Sequence, residues 1–317
     1  MSIKEALDKL RTGEENPSEP IQVQDTFIVE EPKSDRGKIY ALGRHRLLCG
    51  DNSIPYSVRH LFKDTQIDLC FTSPPYLNAR TYGVNVTRNT WSSMMNYAFA
   101  GYPFKDDAQI LVNLGMIHID CEVQPYWNDW IPVMNQQGWR WFGMYIWDKL
   151  SGLPKGDDGR LWTSHELIFH LNKKARNLNK THLCLSPGML KVRSNSVRER
   201  LGKYRQKKGF LKPHAETRVE DSIIRVSREV IGFEHPAVFN YKLASKIIEI
   251  FTQPNEIVLD QFCGSGSTIV ACEQTGRIGY GIEIQPEYCD IIRKRWAWEA
   301  HGKGCDWEKL TPVWDKI

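Results

Sequence analysis

The sequence has no run of about 18 apolar residues, the length a helix needs to span a bilayer, so no spanning helix and no membrane partner are expected. The first twenty residues, MSIKEALDKLRTGEENPSEP, lack the apolar centre of a secretory signal. Eight cysteines are scattered without CxxC or CxH spacing, which argues against a zinc site; no metal is expected. Without an export signal, reduced thiols in the cytoplasm are the simple expectation. No internal repeat is visible.

What is present is an α/β text of ordinary composition. The 317 residues leave room for one large domain or two smaller ones. The net charge of +4 hides an asymmetry. Residues 173 to 214 hold thirteen Lys/Arg and one acid, Glu199, a local net of +12 that leaves −8 on the rest. A basic block in a mildly acidic chain is the footprint of a phosphate-backbone contact; a solvated charged face is the bland alternative.

Five segments are expected. Residues 1–37 hold a helix and a linker, with Ser2 to Glu5 as a capping box and Ile3, Leu7 and Leu10 on one face. Residues 38–172 and 218–300 form two halves of one catalytic domain, 173–217 the basic segment, and 301–317 a tail packed on the surface. Within the first half, strands are expected at 39–50, 66–72, 139–147 and 164–171, the third buried. Helices are expected at 55–63, 107–120 and 124–137. Residues 77–108 show no clear period and read as a long functional loop. The basic segment reads as weak helical pieces and 218–231 as a helix. Then come a helix with Leu243, Ile247, Ile250 and Phe251 inward, a strand at 256–260, a helix to about Gln274, a strand at 277–284 and a helix at 286–298.

Two stretches carry chemistry. In Asp68 to Tyr76 (DLCFTSPPY) an apolar strand ends in a hydroxyl, two prolines and an aromatic ring. The prolines cannot donate ladder bonds, so the strand must stop, leaving a rigid loop that presents Ser73, free carbonyls and Tyr76. Such a loop can grip a planar group bearing an exocyclic amine. In Asp260 to Gly266 (DQFCGSG) a glycine-rich turn joins a strand to a helix, permitting φ > 0 and close ligand approach. Ile269 occupies the third glycine's place of GxGxxG, and no Gly-Lys-Ser/Thr follows, so a pyrophosphate ligand is disfavoured. Glu283, seventeen residues after Gly266, can accept both hydroxyls of a ribose. Together they indicate a nucleoside site.

With both stretches in view, the chain resembles the DNA amino-methyltransferases that use S-adenosylmethionine, over most of residues 39 to 298. Ser73-Pro74-Pro75-Tyr76 matches the family's catalytic loop, and Tyr76 to Gly83 (YLNARTYG), with Arg80 and Tyr82, looks like its TSPPY branch. Asp260, Phe262, Gly264 and Gly266 match the DxFxGxG cofactor loop, and Gly50-Asp51 matches a Gly-Asp before the catalytic strand. His235 to Phe239 is similar to the HPAxF run, with Asn240 where proline is usual. The catalytic loop precedes the basic segment and the cofactor loop, as in the permuted β-type order.

The resemblance implies a Rossmann-like methyltransferase fold, a mainly parallel sheet with helices on both faces and a small basic target-recognition insertion. It implies S-adenosylmethionine as cofactor, held by Asp51, Asp260, Phe262, Gly264, Ser265, Gly266 and Glu283. It implies double-stranded DNA as substrate, met by Arg80, Lys191, Arg193, Lys203, Arg205, Lys207 and Lys208. Ser73, Pro74, Pro75 and Tyr76 would be catalytic, with Ser73 Oγ and the Pro74 carbonyl accepting amine N–H groups and Tyr76 stacking on the flipped base. Type members often pair, so a homodimer and a cognate restriction endonuclease are candidate partners. Serine at the first loop position leans toward cytosine N4; adenine N6 is the alternative, and a catalytically silent nucleic-acid-binding protein a more distant one. No cysteine follows a proline, which weighs against C5-cytosine chemistry. His165-Glu166, opening a strand, is read as structural.

Overall fold

Six consecutive buried residues, Ile67–Thr72, form the strand at the centre of the molecule. A strand covered on both faces needs a continuous apolar run, and IDLCFT nearly supplies one. The computed structural model describes residues 31–77, 87–152, 159–184, 190–193, 196–198, 204–206, 210–213, 215–227 and 241–314.

In chain order the main elements are β1 (Ile39–Leu42), β2 (His45–Cys49), α1 (Pro55–Phe62), β3 (Ile67–Thr72), α2 (Arg88–Phe99), β4 (Phe104–Leu114), α3 (Trp130–Gln136), β5 (Arg140–Asp148), β6 (His165–Asn172), β7 (Ile223–Arg225), α4 (Tyr241–Phe251), β8 (Ile257–Asp260), α5 (Ser267–Thr275), β9 (Ile278–Glu283), α6 (Pro286–His301) and α7 (Trp307–Leu310). The nine strands make one sheet in the order β1-β2-β9-β8-β3-β4-β6-β5-β7. Only β1 and β6 run against the others. Strands from both 38–172 and 218–300 therefore share one sheet. Helices cover both faces. Leu69 and Phe71 pack with Ile247, Ile248 and Phe251 of α4, while Cys70 lies in a second core with Leu61 of α1 and Trp91 and Met95 of α2. No helix among the described residues is long and apolar enough to cross a membrane.

Several elements differ from expectation. Residues 107–120 are not a helix: β4 runs through Leu114, because Ala108 to Leu114 is buried between β3 and β6, and a short apolar run satisfies either period. Residues 77–108 hold α2, capped by Thr87, with Trp91, Met95, Ala98 and Phe99 buried at helical spacing. The single strand at 39–50 is the hairpin β1–β2. The helix at 124–137 shortens to α3 after a single 3₁₀ turn at Tyr126–Asn128. Strand β5 exists, but Trp141 and Phe142 are 48% and 53% exposed, since it lies one strand from the sheet edge. Within 218–231, β7 pairs parallel with β5 instead of forming a helix.

The basic segment is extended where described. Leu190–Arg193 pairs antiparallel with Phe210–Pro213, Ser196–Arg198 with Tyr204–Gln206, and His182–Leu183 with Thr217–Arg218. These are three separate two-stranded pairings, nested in sequence, which the β-branched and aromatic residues favour over the expected helical pieces. The N-terminal helix at 1–13, the segment 78–86 with Arg80, and the run 228–240 with His235 to Asn240 lie outside the described residues. Of the 14–37 linker, Ser34 is buried and donates to Asp290 Oδ1 at 2.6 Å. The tail packs on the body as expected: Val313 bridges to Tyr40, and Lys63 Nζ lies 3.9 Å over the Trp314 ring.

Candidate active site

Because β2, β9, β8, β3, β4 and β5 point the same way, their carboxyl ends share one edge, where open α/β sheets bind ligands. That edge receives Asp51 after β2, Glu283 at the end of β9, Asp260 at the end of β8, Ser73 after β3, Asn113 near the end of β4 and Lys149 after β5. Antiparallel β6 begins there, with Glu166.

A cavity of about 440 Å3 opens at this edge. Among its lining residues are Gly50, Asp51, Ser73, Pro75, Phe262, Gly264 and Glu283. Pro74, Tyr76, Asp260, Ser265 and Gly266 are not among them. Asp260 is fully buried, and its carboxylate accepts from Thr72 Oγ1 at 2.7 Å and Thr268 Oγ1 at 2.6 Å, tying β8 to β3 and α5. Burial pushes its carboxyl up against the pull of these donors. Ser265 Oγ accepts from Arg295 at 2.9 Å. Gly266 stands at φ +83° with Ile292 so close that a Cβ would lie 2.9 Å from it. These three residues shape the loop from behind.

Glu283 accepts from the Gly264 N–H at 2.8 Å and the Gln285 N–H at 2.9 Å. Burial raises its carboxyl to about 7 against these bonds. A buried carboxylate on a cavity wall is suited to hydroxyl donors from a ligand. Gly264, at φ +54°, has only the Phe262 carbonyl, at 4.0 Å, near its would-be Cβ, so a side chain would enter the open cavity. Asp51 adds a second carboxylate, its Oδ1 accepting from the Ser53 N–H at 2.8 Å. Two carboxylates and a side-chain-free backbone suit the ribose and amino groups of a nucleoside-type cofactor.

On the opposite wall, Ser73 Oγ lies 3.2 Å from the Tyr76 hydroxyl. Tyr76 turns inward. It donates to Glu166 Oε2 at 2.8 Å, and its ring packs so tightly that a Cβ on Gly115 would lie 2.7 Å from it. Trp91 Nε1 donates to the Pro75 carbonyl at 2.9 Å, pinning the loop to α2. Asn113, Lys149 and Glu166 back this loop without lining the cavity, and sequence reasoning does not place them there; it also misses the lining residues Met94, Tyr97, Gln261 and Tyr288. Trp91, Met94 and Tyr97 share the helical period of α2, a signal that 77–108 carries. Lys191, Arg193 and Arg205 lie on the paired strands of the basic segment, of which only the backbone is described; Lys203, Lys207 and Lys208 lie outside the described residues.

A central parallel sheet with a nucleoside-type cleft beside a proline-rich strand end defines a class of group-transfer enzyme. The profile of the N6/N4 DNA methylase family matches residues 67–294, and the chain belongs to that family: it is an S-adenosylmethionine-dependent DNA amino-methyltransferase. Type II methyltransferase M.Cfr9I of Citrobacter freundii is 25% identical over 261 residues, covering 71% of this chain and 79% of its own length. In fold, the chain is similar to the PvuII DNA methyltransferase (cytosine-N4-specific), at TM-score 0.60 and 17% identity, over 88% of this chain and 94% of that one. It is also similar to the M1.HpyAVI–SAM complex, at TM-score 0.52 and 20% identity, over 78% and 97% of the two chains.

Proposed function

We propose that this enzyme methylates the N4 amine of a cytosine swung out of double-stranded DNA at a specific sequence. The observation that carries the reading is Ser73 on the same cavity as Glu283 and Gly264, an amine acceptor facing a cofactor wall. Serine at the first loop position favours cytosine over adenine, and the PvuII enzyme of similar fold is cytosine-N4-specific by name.

Glu283, Asp51, Phe262 and the Gly264 backbone would hold S-adenosylmethionine. When bound, it supplies an electrophilic sulfonium methyl. Ser73 Oγ accepts an N–H of the target amine, drawing density onto a nitrogen whose lone pair is otherwise delocalised into the ring. Bringing the two reactants together in a confined cleft supplies much of the rate. The base leaves the duplex stack to reach the cleft. The paired strands between 190 and 213 have the form of two-stranded ribbons, which a DNA major groove admits, and the sequence there is strongly basic.

Methylation-aware sequencing and nucleoside mass analysis of DNA from cells expressing the chain test this directly. N4-methylcytosine at one short sequence is expected. N6-methyladenine in its place would overturn the base assignment, and unmodified DNA despite cofactor binding would favour the silent reading. Neutralising Lys203, Arg205, Lys207 and Lys208 is expected to flatten the salt dependence of DNA binding, by about 0.9 in log–log slope for each phosphate no longer neutralised. An unchanged slope would move the DNA surface elsewhere.

A further inference from the structure

Behind the catalytic loop lies a buried charge that the transfer reaction does not obviously need. Glu166 is 5% exposed and Lys149 9%, and Lys149 Nζ lies 2.5 Å from Glu166 Oε1. The other carboxylate oxygen accepts from Asn113 Nδ2 at 2.6 Å and from the Tyr76 hydroxyl at 2.8 Å. Burial pushes the Glu166 carboxyl up, but Lys149, Asn113 and Tyr76 more than offset this and hold it below the usual carboxylate range. A buried ion pair is a poor device for stability, because apolar residues of similar volume serve as well or better. Its position under Ser73 and Tyr76 suggests another purpose.

The bonds have a direction. The single Tyr76 proton is committed to the Glu166 carboxylate, so the Tyr76 oxygen can only accept from its other neighbours. It accepts from Asn113 Nδ2 at 3.1 Å. Ser73 Oγ, 3.2 Å away, is then the donor toward Tyr76, or it donates toward the main-chain carbonyl of Asn113 at 3.4 Å. Either way the Ser73 proton points inward; Ser73 Oγ also accepts a long bond from Asn113 Nδ2 at 3.5 Å and keeps a lone pair for an amine N–H. The Tyr76 ring is seated against Gly115 while its hydroxyl reaches Glu166.

Resting on the reading that Ser73 meets the target amine, we propose that Glu166, braced by Lys149, is a positioning residue for the transfer: through the Tyr76 hydroxyl it sets the Ser73 hydroxyl as an acceptor and receives the proton the amine loses. The N–C bond would form as the methyl–sulfur bond breaks, its electron pair staying on sulfur as a neutral thioether, which leaves the nitrogen positively charged with one proton in excess. That proton passes to Ser73 Oγ as the Ser73 proton passes to the Tyr76 oxygen and the Tyr76 proton to Glu166 Oε2. The net products are a neutral methylated amine and a neutral carboxylic acid, which returns its proton to solvent between turnovers.

The test uses the full-length enzyme, single-turnover methylation, cofactor calorimetry and urea unfolding without ligand. Tyr76→Phe and Glu166→Gln should each slow the single turnover by about tenfold to a hundredfold, with cofactor affinity kept within about twofold. The double variant should be no slower than the worse single, and the pair should be non-additive in unfolding as well. Should Glu166→Gln prevent folding by leaving the buried Lys149 ammonium without its carboxylate, Lys149→Met/Glu166→Gln removes both charges and should be equally slow. A wild-type rate in Tyr76→Phe or in that neutral pair, or independent losses in the double variant, would overturn the proposal. A silent Ser73→Ala would overturn the catalytic-loop reading and this inference together; an inactive Ser73→Ala beside a silent Tyr76→Phe would overturn this inference alone.

Discussion

The two walls of the cleft are built by different means. The wall proposed to hold the cofactor is mostly backbone: Gly264 in the left-handed region, Glu283 at its strand end and the N–H groups Glu283 holds, braced from behind by Asp260 and Gly266. The amine wall is a short loop propped from behind by side chains distant in sequence, with Glu166 ninety residues from Tyr76. A backbone wall is specified locally and tolerates little change in shape. A propped wall depends on a charge balance assembled only when the fold is complete.

The largest effect is expected on the backbone wall. Gly264→Val places a side chain in the cavity and a branched residue at φ +54°, and should abolish measurable cofactor binding by calorimetry. The backbone strain alone costs about 1–2 kcal/mol, so the protein should still fold. Retained affinity would show that the cofactor does not approach this loop. On the propped wall, Lys149→Met leaves the Glu166 carboxylate buried without its cation, and should lower the urea unfolding free energy by about 3–5 kcal/mol. A loss below about 1 kcal/mol would erase the distinction between the walls.

The smallest effect is a pH dependence. Burial raises Glu283 from its ordinary 4.5 to about 7, so the protonated form stabilises the unliganded fold below about 4.5 and that contribution fades as pH rises through about 7. The ionised form is the better acceptor for two ribose hydroxyls. Cofactor affinity should therefore rise between pH 6 and 8, roughly through the Glu283 titration, and Glu283→Gln should flatten the rise. A flat profile in the unmodified enzyme would place the cofactor hydroxyls on other groups.

The same contrast explains what the sequence can and cannot disclose. The run from Glu256 to Glu283 is legible as strand, turn, helix and strand, because glycine placement and apolar runs are local demands of the backbone. The strand-ending prolines after Thr72 are legible for the same reason. Glu166 reads as structural, since nothing near it in sequence announces Lys149, Asn113 or Tyr76 as partners. Likewise β4 reads as a helix: Ile110-Leu111-Val112 fits either period, and only its neighbours β3 and β6 decide. Tyr76 is legible as the aromatic end of the loop, but an aromatic ring in a sequence does not reveal that its hydroxyl is held by a buried carboxylate.

Calorimetry of S-adenosylmethionine against Ser73→Ala and Glu283→Ala, run beside single-turnover methylation, most directly tests whether the two walls do separate work. Ser73→Ala is expected to bind the cofactor like the unmodified enzyme while losing transfer, and Glu283→Ala to lose binding itself. Loss of cofactor affinity in Ser73→Ala, or undiminished affinity in Glu283→Ala, would show that the cleft is not divided in this way.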